Sequence, residues 1–262
     1  VVLGAIESIL DSAEQQARQV INEWPDGVYR GEATLDDDGH GRVDVTVRAE
    51  VNVSGSDIVV DLTSSDEQSD GFLNSSYANM RSAVTMAISY LLDPETPKNH
   101  GSQRPVNVLA KEGTIVWSKE GAPVTMCTSH CSNEICEAII VALSEACPQR
   151  ATGGWGRRFR VAIQGENPKT GGGFLWHLFL ARHGAGGSSE GDGWHNSGEL
   201  HSAGGLKFGS VELAEARFPL HFDKHEFRRD SAGDGQFRGA GVDLELTVET
   251  ETWSNRKDGS VR

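Results

Sequence analysis

The first 24 residues carry apolar side chains in steps of three and four. These positions are Val2, Ile6, Ile9, Leu10, Ala13, Ala17, Val20, Ile21 and Trp24. Such spacing lies on one face of a helix, which Pro25-Asp26-Gly27 would end. Apolar residues also predict buried helices at 80–92 and 133–146, each followed closely by a proline. The pattern therefore predicts three main helices, the third of which could begin as early as Cys127.

A different periodicity governs residues 43–53, where apolar and polar side chains alternate. A period of two indicates a strand with one buried face and one face in water. The turn Ser54-Gly55-Ser56-Asp57 and the apolar run 58–62 complete a predicted hairpin. Shorter strands are predicted at 28–32, 106–109 and 114–117.

After residue 150 the chain changes character, because glycine clusters alternate with short apolar segments. Strands are predicted there at 158–163, 174–181, 218–227 and 242–248. Together with the three helices, these strands indicate an α+β fold with mixed, largely antiparallel sheets. We expect two lobes that meet near residue 150. The first is a helix-plus-hairpin lobe at 1–150, and the second is a glycine-rich β lobe at 151–262.

The composition is that of a globular protein with an acidic surface. Hydrophobic residues make up 37% of the 262 residues, and 38 acidic against 24 basic side chains give a formal net charge of −14. Because such a surface repels phosphate backbones and anionic lipids, we expect neither nucleic acid nor a membrane as a partner. No apolar run approaches the roughly 18 residues of a membrane span, and no basic leader precedes the first helix. These features predict a cytoplasmic protein.

All four cysteines lie between residues 127 and 147. Cys127 and Cys131 would lie one helical turn apart beside His130, an arrangement that allows a metal site. Because no Cys-x-x-Cys pair is present, the favoured interpretation is small buried hydrophobes in a reducing compartment. Cys127 and Cys147 are expected at opposite ends of one helix, too far apart to pair with each other.

The segment from Asp230 to Gly241 is unusually rich in glycine, with four glycines, two aspartates and one arginine between two predicted strands. Glycine at this density indicates positive φ angles or a close approach of the backbone to another group. Arg238 offers five donors in a fixed geometry to a carboxylate, a carbonyl or a phosphate. The alternative interpretation is a glycine-rich turn in which Arg238 binds a neighbouring carboxylate.

Histidines and tryptophans are concentrated in the other glycine-rich loops. Trp176, His177 and His183 flank one glycine-rich turn, and His195 directly follows Asp192-Gly193-Trp194. Loops that follow strands often carry binding residues, so these side chains could line a cleft. The tryptophans would then supply an apolar wall for a ring-shaped substrate, although tryptophan also fills protein cores.

Two other patterns allow metal binding but have simpler interpretations. His221, Asp223 and His225 alternate on a predicted strand, so that all three would point to one face. That face could bind a metal, but the solvated side of an edge strand is favoured. Asp36-Asp37-Asp38 could chelate a hard cation, but a solvated turn is favoured.

Several segments stand out in order along the chain, namely 25–32, 35–39, 60–65, 68–74, 99–101, 104–106, 112–114, 191–193, 212–220 and 230–241. Together they resemble the hydantoinase B/5-oxoprolinase family, which includes subunits of acetone and acetophenone carboxylases. Each is weakly specific alone, but their order and spacing cover nearly the whole chain. Because members of that family are considerably longer, the chain looks like a fragment of such a subunit.

The resemblance implies an ATP-dependent enzyme that activates a carbonyl oxygen by phosphorylation. The reaction would be hydrolysis of a cyclic amide (a hydantoin, 5-oxoproline or a lactam) or carboxylation of a ketone. The implied partner is a hydantoinase A-like ATPase subunit that binds most of the ATP and Mg²⁺, which makes the protein a hetero-oligomer with a small carbonyl substrate. A divalent metal such as Zn²⁺ or Mn²⁺ is implied for the full-length subunit, with ligands outside this chain.

Within this hypothesis, the candidate residues fall into two groups. The candidate catalytic residues are Asp230, Arg238, His195 and Asp192. The candidate substrate-binding residues are Trp176, Trp194, His183 and Asn74. The competing hypothesis is a non-catalytic, β-rich module that binds a carbohydrate or a protein. It would be favoured by secretion and by glycans at Asn52 or Asn74, which both begin Asn-x-Ser sequences.

Overall fold

The computed structural model describes residues 2–125, 127–128, 130–155, 161–178, 184–194, 200, 209–227, 236–238 and 244–250. The helices are α1 (Val2–Ile21), α2 (Tyr77–Leu91), α3 (Cys131–Leu143) and α4 (Val211–Arg217). The strands are β1 (Gly27–Asp37), β2 (Val43–Ser54), β3 (Asp57–Asp61), β4 (Val106–Leu109), β5 (Val161–Asn167), β6 (Gly172–Leu178), β7 (Leu220–Phe227) and β8 (Leu244–Thr250). The predicted α+β class is confirmed, with a fourth, short helix that the sequence analysis missed.

The first four strands form one sheet in the order β1-β2-β3-β4. Neighbouring strands are antiparallel except for β3 and β4, which are parallel. Alternate residues of β2 from Val45 to Val53 are buried, as the period of two predicts. The predicted strand 28–32 is too short, because β1 pairs with β2 along its whole length, as far as Asp37 opposite Val43.

Helix α3 packs on the buried face of this sheet, against β1 and β2, and α2 packs against α3. Ile135, Ile139 and Leu143 of α3 are fully buried in the main core, together with Met80 and Ile88 of α2. Ser76 caps the start of α2 by accepting a hydrogen bond from the N–H of Asn79, and so α2 begins earlier than predicted. The core fixes the position of α3, whose C-terminal end leads into the glycine-rich part of the chain.

The third helix ends at Leu143, before the predicted end at residue 146. Cys127 precedes α3 and Cys147 follows it, so the expectation that both lie on one helix is wrong. All four cysteines are free thiols, and Cys131, Cys136 and Cys147 are buried. Burial raises the pKa of the Cys136 thiol, and the charge of Glu134 adds to this effect. Burial also raises the pKa of Cys147, to about 11. These thiols therefore serve as buried hydrophobic groups.

Residues 114–117 do not form the predicted strand. Thr114 makes isolated β-bridges to Glu67 and Trp117, and the chain turns between Thr114 and Trp117. The remaining strands form two hairpin-like pairs, β5 with β6 and β7 with β8. The ends of the predicted strands at 158–160, 179–181 and 242–243 lie outside the described residues. The boundary between two lobes near residue 150 stays a prediction.

No helix among the described residues is both long enough and apolar enough to cross a membrane.

Candidate functional site

Three loop segments, 151–155, 184–194 and 236–238, come together beyond the C-terminal end of α3. We call this region the glycine junction. The N–H of Gly153 donates to the carbonyl oxygen of Gly187 at 2.7 Å, and the N–H of Ala185 donates to that of Trp194 at 2.9 Å. The N–H of Gly193 donates to the carbonyl oxygen of Arg238 at 2.9 Å. Main-chain bonds therefore join segments that are distant in sequence.

The glycines of the junction are required because the backbones approach too closely for side chains. A Cβ atom at Gly193 would lie 1.8 Å from the carbonyl oxygen of Ala185, and one at Gly186 would lie 2.2 Å from that of Gly153. A Cβ atom at Gly187 would lie 2.9 Å from the carbonyl oxygen of Phe237. Residues 236–238 meet the loop 184–194 at Gly187 and Gly193. The glycines of the segment 230–241 lie outside the described residues, so the close backbone approach expected of them stays a prediction.

Asp192 and Arg238, two of the candidate catalytic residues, meet in this junction. The carboxylate oxygen Oδ1 of Asp192 accepts a hydrogen bond from the main-chain N–H of Arg238 at 2.7 Å. Both side chains are exposed, and so is Trp194, at 76% of its maximum. The junction therefore carries three exposed residues with a carboxylate, a guanidinium group and an indole ring. The other candidates of this region, Asp230, His195 and His183, lie outside the described residues.

Trp176 has the surroundings of a core residue. It lies on β6 with 9% of its surface exposed, and its ring packs edge-to-face on Phe222 of β7 with centroids 5.7 Å apart. This is the core alternative that the sequence left open for one of the tryptophans. The predicted substrate contact of Trp176 stays a prediction.

Asn74 is fully buried, and its amide group binds the surrounding backbone. Its Oδ1 accepts from the N–H of Ser69 at 2.7 Å, and its Nδ2 donates to the carbonyl oxygens of Ser69, Gly71 and Pro123 at 2.8 to 3.0 Å. These bonds satisfy the amide group and hold the loop before α2 in place. The observed contacts are therefore those of a structural residue, and a role in substrate binding stays a prediction.

The acidic segment at the end of β1 is also used by the fold. Asp38 is buried, accepts from the hydroxyl of Ser69 at 2.7 Å, and accepts from the N–H groups of His40 and Arg42. The Ser69 hydroxyl, followed by the His40 N–H, holds the pKa of Asp38 below its ordinary value. Within the described part of the chain, no group of three or more His, Cys, Asp or Glu side chains is placed to hold a metal ion. The side chains of Asp223 and His225 lie outside the part of the chain that the structure describes.

The sequence analysis did not identify the polar start of α3. Ser132, Asn133 and Glu134 are all buried there, and Glu134 is completely enclosed. The ring of His130, directly before the helix, contacts the ring of Phe72 edge-on at 5.1 Å. The available signal was a single acidic residue in the first turn of the helix. That pattern also fits an ordinary helix start, so it did not single out Glu134.

The chain matches known proteins along nearly its whole length. Residues 1–259 match the family model described as hydantoinase B/oxoprolinase. Over 249 residues the chain is 33% identical to the protein named caprolactamase subunit beta from Pseudomonas jessenii. That alignment covers 94% of this chain and 43% of the relative.

Two solved structures share the fold. The crystal structure of the ATP-dependent caprolactamase from Pseudomonas jessenii superimposes with a TM-score of 0.85 at 31% identity, covering 95% of this chain and 43% of the other. The nucleotide-free structure of acetone carboxylase superimposes with a TM-score of 0.77 at 17% identity, covering 91% of this chain and 34% of the other, which shows the fold alone. The chain spans less than half the length of these relatives. It belongs to the hydantoinase B/oxoprolinase family.

Proposed function

We propose that this chain is part of a subunit of an ATP-dependent enzyme complex that hydrolyses a cyclic amide. The observation that carries the proposal is the 33% identity to a caprolactamase beta subunit across 94% of the chain. The TM-score of 0.85 with the ATP-dependent caprolactamase supports it. Ketone carboxylation is the second reaction within the family, but the acetone carboxylase resembles this chain in fold alone.

The chemistry explains why such a hydrolase uses ATP. The nitrogen lone pair of an amide is delocalised onto the carbonyl group, which makes the carbon a poor electrophile. Transfer of the γ-phosphoryl group to the amide oxygen gives an imidoyl phosphate and ADP. Water then adds to the carbon, and cleavage of the ring C–N bond frees the amine and leaves an acyl phosphate. A second water hydrolyses the acyl phosphate to the carboxylate of an amino acid and inorganic phosphate. Because the intermediate hydrolyses in bulk water, it must form and react in a shielded site.

We assign the nucleotide to another subunit of the complex. In this proposal a hydantoinase A-like ATPase binds ATP and Mg²⁺, and the two subunits form a hetero-oligomer in the cytoplasm. A divalent metal such as Zn²⁺ or Mn²⁺ would belong to parts of the subunit outside these residues. In the described ranges no suitable ligand cluster is present, so none of these residues is assigned to the metal.

The glycine junction is the proposed contribution of this chain to the site. The exposed guanidinium of Arg238 would donate hydrogen bonds to negative charge on the amide oxygen or its phosphoryl group. The exposed indole ring of Trp194 would cover the methylene groups of the ring. Asp230, His195 and His183, which lie outside the described residues, remain in the proposed set of catalytic and substrate-binding residues.

ATP turnover by the complete complex tests the proposal. We expect caprolactam, 5-oxoproline or a hydantoin to stimulate ADP release, with one ring opened for each ATP consumed. Stimulation only by acetone or acetophenone with bicarbonate would replace amide hydrolysis by carboxylation. If no carbonyl compound stimulates turnover and the protein binds sugars or another protein instead, the non-catalytic alternative is correct. The burial of Asn74 already argues against a glycan at that residue.

A further inference from the structure

The main chain of Arg238 is held from two directions by one short loop. Its N–H donates to Oδ1 of Asp192 at 2.7 Å. Its carbonyl oxygen accepts from the N–H of Gly193 at 2.9 Å. Two adjacent residues thus bind both polar main-chain groups of a residue that lies 46 positions away.

The loop 184–194, which carries Asp192 and Gly193, is itself fixed in position. The carbonyl oxygen of Trp194 accepts from the N–H of Ala185, and Gly193 lies so close to Ala185 that a Cβ atom would be only 1.8 Å from the Ala185 oxygen. Gly187 lies against Phe237, the neighbour of Arg238, where a Cβ atom would be 2.9 Å from the Phe237 oxygen. The backbone of Arg238 is therefore seated on a closely packed surface, while its side chain is exposed.

We propose that Asp192 is a positioning residue, which fixes the main chain of Arg238 so that the guanidinium group meets the anionic group of the substrate. The proposal rests on the proposed function for the identity of that anion, the phosphorylated or developing amide oxygen. It gives Asp192, a candidate catalytic residue, the role of a hydrogen-bond acceptor, in place of a general acid or base. The two hydrogen bonds restrict the main chain of Arg238 before the substrate binds. Less conformational entropy is therefore lost on binding.

The two roles for Asp192 differ in what they require of its side chain. A general acid or base must exchange a proton, which an amide group cannot do at neutral pH. A hydrogen-bond acceptor needs only an oxygen at the position of Oδ1, and asparagine supplies one with nearly the same shape. Asp192→Asn therefore separates the roles, since it keeps the acceptor and removes the acid–base group.

Turnover by the complete complex gives the first set of results. We expect Asp192→Ala to lower kcat by about tenfold, the cost of one lost hydrogen bond that orients a reacting group. Asp192→Asn should restore most of that loss. Arg238→Ala should lower kcat on the order of 100-fold, as expected when a charge-stabilising donor is removed. Asp192→Ala added to Arg238→Ala should cost nothing further, because Asp192 acts through Arg238.

Amide hydrogen exchange gives a result that does not depend on the reaction. The N–H of Arg238 should exchange faster in Asp192→Ala than in the wild type, and at the wild-type rate in Asp192→Asn. The matched control is Asp26→Ala. The carboxylate of Asp26 also accepts a hydrogen bond from a main-chain N–H, that of Gly55 at 2.7 Å. This bond joins two loops beside the first sheet, away from the glycine junction. Asp26→Ala should change neither turnover nor exchange at 236–238.

Three outcomes would overturn the proposal. The first is an Asp192→Asn variant as inactive as Asp192→Ala, which would show that the charge or the proton is needed. The second is a double variant whose losses multiply, which would show that Asp192 acts independently of Arg238. The third is an unchanged exchange rate of the Arg238 N–H in Asp192→Ala, which would show that the hydrogen bond to Asp192 does not hold residues 236–238 in place. A complex that hydrolyses no lactam and no hydantoin would refute the proposed function, whereas the exchange experiment would still decide whether Asp192 fixes the main chain of Arg238.

Discussion

Replacing Gly31 by alanine tests how β1 is packed against α3. A Cβ atom at Gly31 would lie 2.2 Å from the carbonyl oxygen of Ala138 and 2.5 Å from the main-chain nitrogen of Ala142. Ordinary contacts begin near 3.4 Å, so the strand or the helix must move by roughly 1 Å. The opposing atoms belong to a helix backbone and cannot rotate away as a side chain would. Overpacking of this kind costs typically 1–3 kcal/mol, and we expect about 3 kcal/mol here.

Thermal unfolding of the full-length subunit measures this cost. For a cooperative unit of this size, about 3 kcal/mol corresponds to a fall in Tm of about 6 °C or more. Gly172→Ala is the matched control, because Gly172 begins β6 and its nearest neighbour to a new Cβ is the Thr170 hydroxyl at 3.9 Å. Its Tm should stay within about 2 °C of the wild type. A Gly31→Ala protein as stable as the Gly172→Ala protein would refute the close packing of β1 on α3.

Three further results are expected. Asn74→Ala should lower the free energy of unfolding in urea by about 3 kcal/mol, because it leaves several buried main-chain groups without partners, and an unchanged unfolding midpoint would contradict this. The Ser69 hydroxyl lowers the pKa of Asp38. The ionised Asp38 therefore contributes fully to stability at any pH above the ordinary aspartate pKa of about 4. That contribution is lost as the pH falls through the lower folded-state value, so Asp38→Asn should show a shallower loss of Tm below pH 4 than the wild type. Alkylation followed by mass spectrometry should label half-buried Cys127 in the native protein, whereas Cys136 should react only on unfolding; equal rates would refute the packing of α3.

Periodicity predicted those elements in which one face alone is buried. The hairpin formed by β2 and β3 is the clearest case, because every second residue of β2 enters the core. Helix α4 was missed for the opposite reason, since none of its residues is buried and no apolar period marks it. Ser210, which caps α4 by accepting the N–H of Leu213, was the remaining signal in the sequence.

The structure of the candidate site could be predicted only in part. Glycine density predicted close backbone approach in the segment 230–241, whose four glycines lie outside the described residues, whereas the close approaches observed are those of Gly186, Gly187 and Gly193. It did not indicate which backbones meet. The bond from Arg238 to Asp192 uses a main-chain N–H, which every residue except proline carries, so the sequence holds no signal that pairs these two positions.

The segments that resemble the family serve two different purposes in this chain. Those in the first half are explained by packing. Gly31 lies against α3, a Cβ atom at Gly101 would lie 2.0 Å from the Leu10 oxygen of α1, and the Asn74 amide fixes a loop. These contacts support the fold, and the role of Asn74 in substrate binding stays a prediction.

The segments around Asp192 and Arg238 differ, because the fold fixes their backbones and leaves their side chains exposed. A stable core gains little from an exposed guanidinium, an exposed carboxylate and an indole ring at 76% exposure. Groups of this kind, held on a rigid backbone, are suited to contacts with a ligand or with another part of the enzyme. Variation among related enzymes in the loops 184–194 and 236–238 should therefore follow substrate preference, whereas variation at Gly31 should follow only the packing of α3.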